Sequence, residues 1–261
     1  MKVVVFLVAF FACHIINAQD YQVLSVKGNV KFKGGKKLEA KDKLKTDDQL
    51  IFSTSSDAVA VVGAKTGRFV ITPSPKSKDG EFVALVKGAL TPGTKKLSTR
   101  SGAFNNALDF SRYFKDTILI LPTLSYGVSK TTFKQDDKSF FFIRYNFSGE
   151  EINKKIKPTQ DSLVVNRLEL FSIDGKPVDP KNVSNVRLMY LSGSQSTLLS
   201  NLNIIAPDTD QLRGEASTLK DLFKGRSGTE IRNEVFAYFN EFYGKVDEAN
   251  FSRWYLKQPE K

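Results

Sequence analysis

Cys13 and His14 are the only cysteine and the only histidine in this 261-residue chain. Thiolate nucleophiles, imidazole bases and the commonest zinc ligands all draw on these two residue types, so the chemistry open to the chain turns on where the pair sits. Both fall in a leader-like stretch: Lys2, an apolar run from Val3 to Ile16, then Asn17-Ala18-Gln19-Asp20. A short basic start, about 7–15 apolar residues and a small residue before the cut are the features of a secretory signal peptide. This reading places cleavage after Ala18 and removes residues 1–18. The chain left behind has neither Cys nor His, which excludes histidine-based triads, cysteine nucleophiles and any disulfide from it. A second reading makes Cys13 a lipidated residue, but Phe10-Phe11-Ala12-Cys13 lacks the Leu that a bacterial lipobox prefers three residues before its cysteine.

Few other residues could carry catalysis. Ser217-Thr218-Leu219-Lys220 has the spacing of a Ser-Lys pair, yet it is read at the start of a helix, where Ser217 or Thr218 serves as an ordinary cap. Glu150 and Glu151 are adjacent after a strand and should project apart into water, whereas a glycosidase needs two carboxylates converging at about 5–9.5 Å. Asp208-Thr209-Asp210 is too short to make a calcium loop, and no phosphate or dinucleotide loop is present. The expectation is a chain with no catalytic, cofactor-binding or metal-binding residues, and not an enzyme. The alternative kept open is a carboxylate-dependent glycan-active enzyme.

Charge offers a binding chemistry instead. The net charge of +11 becomes +10 without Lys2, and residues 20–103 hold 16 Lys and Arg against 8 Asp and Glu, while the rest is close to balanced. Lys27, Lys31 and Lys33 are read on the outer face of one strand, Lys36 and Lys37 just past its turn, and Lys41, Lys43 and Lys45 beyond. Such a stripe attracts anionic lipid headgroups or acidic polysaccharide through screened Coulomb attraction. Nucleic acid is not expected after export, and no aromatic residues interleave as a single-strand platform requires. The plainer role of the same lysines is a solvated face that keeps a strand edge from pairing.

The elements that must position these lysines follow a period of two. From Leu24 to Phe32 the apolar residues Leu24, Val26, Val30 and Phe32 alternate with Lys27 and Lys31, predicting one half-buried strand, and Gly34-Gly35 predicts a tight hairpin with both residues at positive φ. Short strands at Gln49–Ser53, Ala58–Val62, Arg68–Thr72 and Phe82–Lys87 complete a small N-terminal β-sandwich or barrel-like domain over 19–98.

The order of these residues resembles the FecR-type periplasmic domain over about residues 21–75. The matching segments are Val26-Lys27-Gly28-Asn29-Val30, Lys41-Asp42-Lys43-Leu44, Asp48-Gln49-Leu50, Ser55-Ser56-Asp57-Ala58 and Gly67-Arg68-Phe69-Val70. Lys41 stands where that family usually has Gly. A signal ending in Ala-Gln, with a Lys-, Asn- and Phe-rich composition, is also similar to exported proteins of the Bacteroidota. The resemblance implies a non-catalytic envelope domain that senses, scaffolds or touches a partner.

Beyond a Pro- and Gly-marked connection at 88–114, strands at Thr117–Leu121, Ser139–Phe147 and Leu163–Phe171 predict a second, immunoglobulin-like β-sandwich over 104–212, with a hairpin at Asp174-Gly175. The period then changes to 3.6. Ser227 and Glu230 form a capping box, Gly244 stops the helix, and Val246 with Phe251 staples a last helix carrying Trp254, giving a helical C-terminal segment over 213–261. The fold class is mainly β with C-terminal α. No segment after the leader reaches the roughly 20 apolar residues of a transmembrane helix. The expected role is an exported periplasmic or surface protein that binds or scaffolds another envelope component, protein or anionic polymer or lipid, through its lysine-rich domain.

Overall fold

The computed structural model describes residues 21–63, 66–73, 82–85, 90–92 and 102–258; the predicted signal peptide and the last two residues of the predicted Phe82–Lys87 strand lie outside them. The protein is mainly β with C-terminal helices. It divides into two compact units. The first runs to Gly63 and resumes from Ile71 to Leu90, and the second takes Ala64–Val70 and Thr91–Lys261.

Two sheets form in the N-terminal part. One follows the order β3-β1-β5-β6-β8, built from β1 (Tyr21–Lys27), β3 (Lys43–Leu44), β5 (Ala58–Gly63), β6 (Gly67–Ile71) and β8 (Leu90–Pro92). The other is β2 (Val30–Phe32), β4 (Gln49–Phe52) and β7 (Phe82–Leu85), in the order β2-β4-β7. Val23, Val30, Leu38, Leu44, Leu50, Phe52 and the run Val59–Val62 are all buried. Each of the buried Val, Leu and Phe side chains contributes about 1.5–3 kcal/mol by leaving water. In β5 every residue after Ala58 is buried, which explains why that strand reads as a continuous run of small apolar residues and not as an alternation.

Two local predictions change here. The strand read from Leu24 to Phe32 is broken at Gly28, whose φ of 86° turns the chain out of one sheet and into the other. Period-two alternation continues across the break, so the pattern alone could not show it. At Gly34-Gly35 only Gly35 has positive φ, at 87°. The Gly35 amide donates to Phe32 O at 2.8 Å and the Phe32 amide to Lys36 O at 2.8 Å, the pattern of a longer loop whose last residue is left-handed, not a two-residue turn.

In the second unit, α1 (Ala107–Tyr113) is capped by Asn106, whose side chain accepts from the Asp109 amide. Strands β11 (Ser139–Phe147), β12 (Glu150–Lys155), β16 (Val183–Ser192) and β17 (Gln195–Asn201) make a four-stranded sheet in the order β12-β11-β16-β17. Phe141 is fully buried on one face of β11 and Phe142 is 5% exposed on the other, as the unalternated Phe140-Phe141-Phe142-Ile143 run predicts. A two-stranded ribbon pairs β10 (Thr123–Gly127) with β13 (Ser162–Asn166), and a short parallel pair joins β9 (Ile118–Leu119) to β18 (Ile204–Ile205). Between β13 and β16 the chain goes into α2 (Arg167–Leu170), capped by Asn166, and a small hairpin of β14 (Ser172–Ile173) and β15 (Lys176–Pro177). With the β14–β15 hairpin, strands β9 to β18 are shared out as sheets of four, two, two and two. Asp174 and Gly175 have φ of 50° and 76°, the left-handed pair expected of their turn.

Three helices follow: α3 (Thr209–Leu222), α4 (Gly228–Phe242) and α5 (Glu248–Leu256). Helix α3 begins four residues before the predicted boundary at 213, because Asp208 caps it by accepting from the Asp210 and Gln211 amides. The Ser227–Glu230 capping box is present on α4. Gly244 follows α4 with a φ of 121°, and a Cβ there would lie 2.6 Å from Thr117 O, so both conformation and space demand glycine. Val246 and Phe251 are buried on either side of the Asp247 cap of α5. Among the described residues, no helix is long and apolar enough to cross a membrane.

Candidate functional site

The eight lysines singled out by sequence are all exposed, but they do not form one stripe. Lys27 ends β1 opposite Ala58 of β5, and Lys31 begins anew on β2, across the Gly28 break. The reading of Lys27, Lys31 and Lys33 as one strand face is therefore corrected. Lys43 lies on the short strand β3 opposite Gln22, flanked by Lys41 and Lys45. Lys36 pairs with Asp42 at 3.0 Å and lies 5.5 Å from the centre of the Phe32 ring. The Glu39 amide and Lys36 together hold the Asp42 carboxyl below its usual range.

What the fold does bring together is Lys31, Lys33 and Lys37. Lys31 and Lys37 are direct partners in an antiparallel bridge. The flanking hydrogen bonds, Phe32 N to Lys36 O at 2.8 Å and Leu38 N to Val30 O at 2.9 Å, make this a non-hydrogen-bonded pair. In such a pair the Cα atoms approach to about 4.5 Å and the side chains leave the same face at their closest. The Lys33 amide donates to Gln49 O at 2.9 Å, so the ladder continues one residue past β2, and alternation puts Lys33 on the face of Lys31. The opposite face of β2 carries buried Val30 and half-buried Phe32. Like charges directly across a ladder repel, and none of these three lysines has a carboxylate partner among the described residues. The arrangement is a small area of concentrated, uncompensated positive charge on a rigid sheet, suited to an anionic ligand.

The turn that follows β4 is built by Asp57. Its carboxylate accepts from Thr54 Oγ1 at 2.6 Å and from the amides of Ser53 and Thr54 at 2.9 and 3.0 Å. Burial opposes the charged form, but these hydrogen bonds win and hold the carboxyl below its ordinary value. Gly28 lies against it, and a Cβ on Gly28 would fall 2.0 Å from Asp57 Oδ1.

The catalytic candidates do not assemble. Ser217 and Lys220 lie inside α3, not at its start, which corrects the cap reading; Lys220 is instead 4.6 Å from the centre of the Tyr255 ring. Thr218 donates to Gly214 O at 2.9 Å. Glu150 and Glu151 open β12 as consecutive strand residues and so point to opposite faces. Glu151 is occupied by Arg187 at 2.8 Å and Arg144 at 3.2 Å. Asp208 caps α3 and Asp210 pairs with Arg213 at 2.9 Å. No group of acidic residues that could hold a metal is present among the described residues.

Two buried polar clusters were not found by sequence reasoning. Glu215 of α3, 5% exposed, accepts from the hydroxyls of Tyr243 at 2.7 Å and Tyr238 at 2.9 Å, and from Gln211 Nε2 at 2.9 Å. Burial, then the Glu215 charge, push the Tyr238 phenol well above the ordinary tyrosine range. Arg68 donates to Glu234 at 2.9 Å and to Glu241 at 2.5 Å, both on α4. Burial raises the Glu241 carboxyl despite Arg68. Apart from Gln211, four residues from Glu215, these partners are 23 to 173 residues apart in sequence, so local spacing could not have announced them. Both clusters are largely withdrawn from water and internally bonded, with Glu241 Oε1 left without a hydrogen-bond partner among the described residues, an arrangement that suits tying elements together better than meeting a substrate.

Comparison with family models, curated proteins and solved structures returned no match.

Proposed function

We propose that the protein is a non-catalytic, exported envelope component that binds an anionic polymer or lipid surface through its N-terminal unit, and that residues 21–75 form a FecR-like domain. The observation that carries the binding reading is the Lys31–Lys37 pair with Lys33 beside it, three exposed cations on one sheet face without acidic partners among the described residues. Like charges held opposite one another gain nothing in stability, and an anionic ligand on that face would relieve their repulsion. The FecR-like reading is supported by Lys41, whose φ of 76° is a conformation glycine adopts freely, at the position where the family pattern has Gly. It is further supported by Gly28 and Asp57, drawn from two separate matching segments and packed against each other.

The carboxylate-dependent enzyme has weaker support. Glu234 and Glu241 do converge, but both are bound by Arg68, which removes the free acid and free base such chemistry needs. Titrating the protein onto vesicles of phosphatidylglycerol and phosphatidylcholine, and onto an acidic polysaccharide, at low and high salt tests the proposal. Binding that weakens steeply with salt supports it, whereas salt-independent binding or none contradicts it.

A further inference from the structure

Two open sheet edges border one cleft in the second unit. Strand β12 ends its four-stranded sheet and β13 pairs only with β10, so each has one edge without a neighbouring strand among the described residues. Residues of both border a cavity of about 310 Å³, at the lower end of the roughly 300–1,000 Å³ range of ligand pockets. Its apolar lining is Ile143, Ile156, Val165 and Leu170, all of them buried side chains.

The ladders fix which backbone groups point outward. Strands β11 and β12 are joined by the two-residue turn Ser148-Gly149, with φ of 51° and 86°, so the closing pair Phe147–Glu150 is hydrogen-bonded. Such pairs recur at every second residue through Ile143–Lys154, and the Ile156 amide continues the series to Phe141 O at 2.9 Å. Lys155 therefore turns its N–H and C=O away from β11. Its side chain lies on the face opposite to Ile143, 4.2 Å from the centre of the Phe140 ring, so its backbone is what borders the cleft. On β10 the Ser125 amide donates to Asn250 Oδ1 at 2.7 Å and not to β13. Ser125–Val164 is thus a non-hydrogen-bonded pair, and the Val164 N–H and C=O point away from β10 at the border of the same cavity. None of these four groups has a hydrogen-bond partner among the described residues.

Charge narrows the ligand. Lys154 stands opposite Ile143 in the ladder and so shares its face; it borders the cavity, is half-buried and has no carboxylate partner among the described residues. Lys157, also at the cavity, is paired with Glu169 at 2.9 Å. The unmatched charge beside the apolar lining is therefore positive. We propose that the cleft receives an extended segment of a partner protein by strand addition, with backbone pairing to Lys155 and Val164. Residues two apart in a strand share a face, so an apolar side chain enters beside Ile143 and Val165 while a carboxylate two residues away meets Lys154. A fatty acid would cover the apolar lining but leave the four backbone groups unmatched.

Isothermal titration of the purified protein with acetyl-Glu-Thr-Val-Thr-Glu-amide tests this, alongside a copy N-methylated at Val and the following Thr, a Lys-Thr-Val-Thr-Lys counterpart and decanoate. Saturable binding of the acidic peptide is expected. The N-methylated copy loses one donor toward each edge and the lysine counterpart loses its match to Lys154, so each should bind at least about tenfold more weakly. Val164→Pro removes the outward N–H and should weaken binding about tenfold, with a melting temperature near wild type because proline is tolerated where an edge N–H is free. Lys154→Glu should reverse the preference between the acidic and lysine peptides. Changing Lys31, Lys33 and Lys37 to Gln should leave peptide affinity as in wild type, which separates this site from the N-terminal face. Absence of saturable peptide binding, equal binding of the N-methylated copy, tighter binding of decanoate, an unchanged preference in Lys154→Glu, or loss of peptide binding in the N-terminal variant would each overturn the assignment.

Discussion

The carboxylate of Asp57 occupies the space a side chain on Gly28 would need: a Cβ there would lie 2.0 Å from Oδ1. Gly28 also has a φ of 86°, so two independent constraints meet on one residue. This glycine ends β1 and redirects the chain to the sheet bearing Lys31.

Replacing Gly28 by Ala should therefore be far costlier than a surface change. Left-handed strain costs of order 1–3 kcal/mol, and the overlap forces Asp57 off its hydrogen bonds. Urea denaturation should show a loss of about 2–4 kcal/mol; a change under about 0.5 kcal/mol would mean that the turn is not built this way.

Asp57 itself should give the first unit an acid-sensitive turn. Its folded carboxyl titrates below the ordinary value, near 4, so its contribution is complete above that value and is lost as pH falls through the lowered one. Asp57→Asn should be less stable than wild type at neutral pH and lose less on acidification below pH 4. Parallel acid profiles for the two proteins would contradict the hydrogen-bond scheme.

How much of this was legible in the sequence depended on range. The Ser227–Glu230 box, the Gly244 stop, the Val246–Phe251 staple and the Asp174-Gly175 turn are set by neighbours within a few residues, and each is present as read. The strand break at Gly28 was hidden because Lys27 and Lys31 keep the same period on either side of it. The lysine face was half legible. Composition showed the cations, but only the ladder shows that Lys37 folds back across from Lys31 while Lys36 turns away to Asp42. The clusters around Glu215 and Arg68 join distant helices and strands, where packing and not local propensity decides who meets whom.

The Glu215 cluster should be sensitive to single hydroxyls. Tyr238→Phe removes a 2.9 Å donor from a buried carboxylate while preserving ring packing. A loss of about 1.5–3 kcal/mol is expected, as for hydrogen bonds to charged groups, read as a lower urea midpoint at unchanged slope. A neutral outcome would mean that Glu215 does not rely on Tyr238.

Arg68→Met should leave the half-buried Glu241 without its cation, while Glu234 keeps Arg226 at 3.6 Å, at a cost of about 1–3 kcal/mol at neutral pH. Glu241 already titrates above its ordinary value, and without Arg68 it should rise further. A raised carboxyl favours the folded state when protonated, so the variant should recover stability as pH falls toward 5 and lose it as pH rises. A deficit independent of pH would contradict this.

The most direct test of the account is the vesicle titration with Lys31, Lys33 and Lys37 all changed to Gln. Each lysine near an anionic surface contributes about 1 kcal/mol, so the triple variant should bind phosphatidylglycerol-containing vesicles roughly 100-fold more weakly and show a shallower salt dependence. The matching variant at Lys27, Lys43 and Lys45 should lose much less. Equal losses in both, or unchanged binding in the first, would contradict the assignment of the site to the Lys31–Lys37 face.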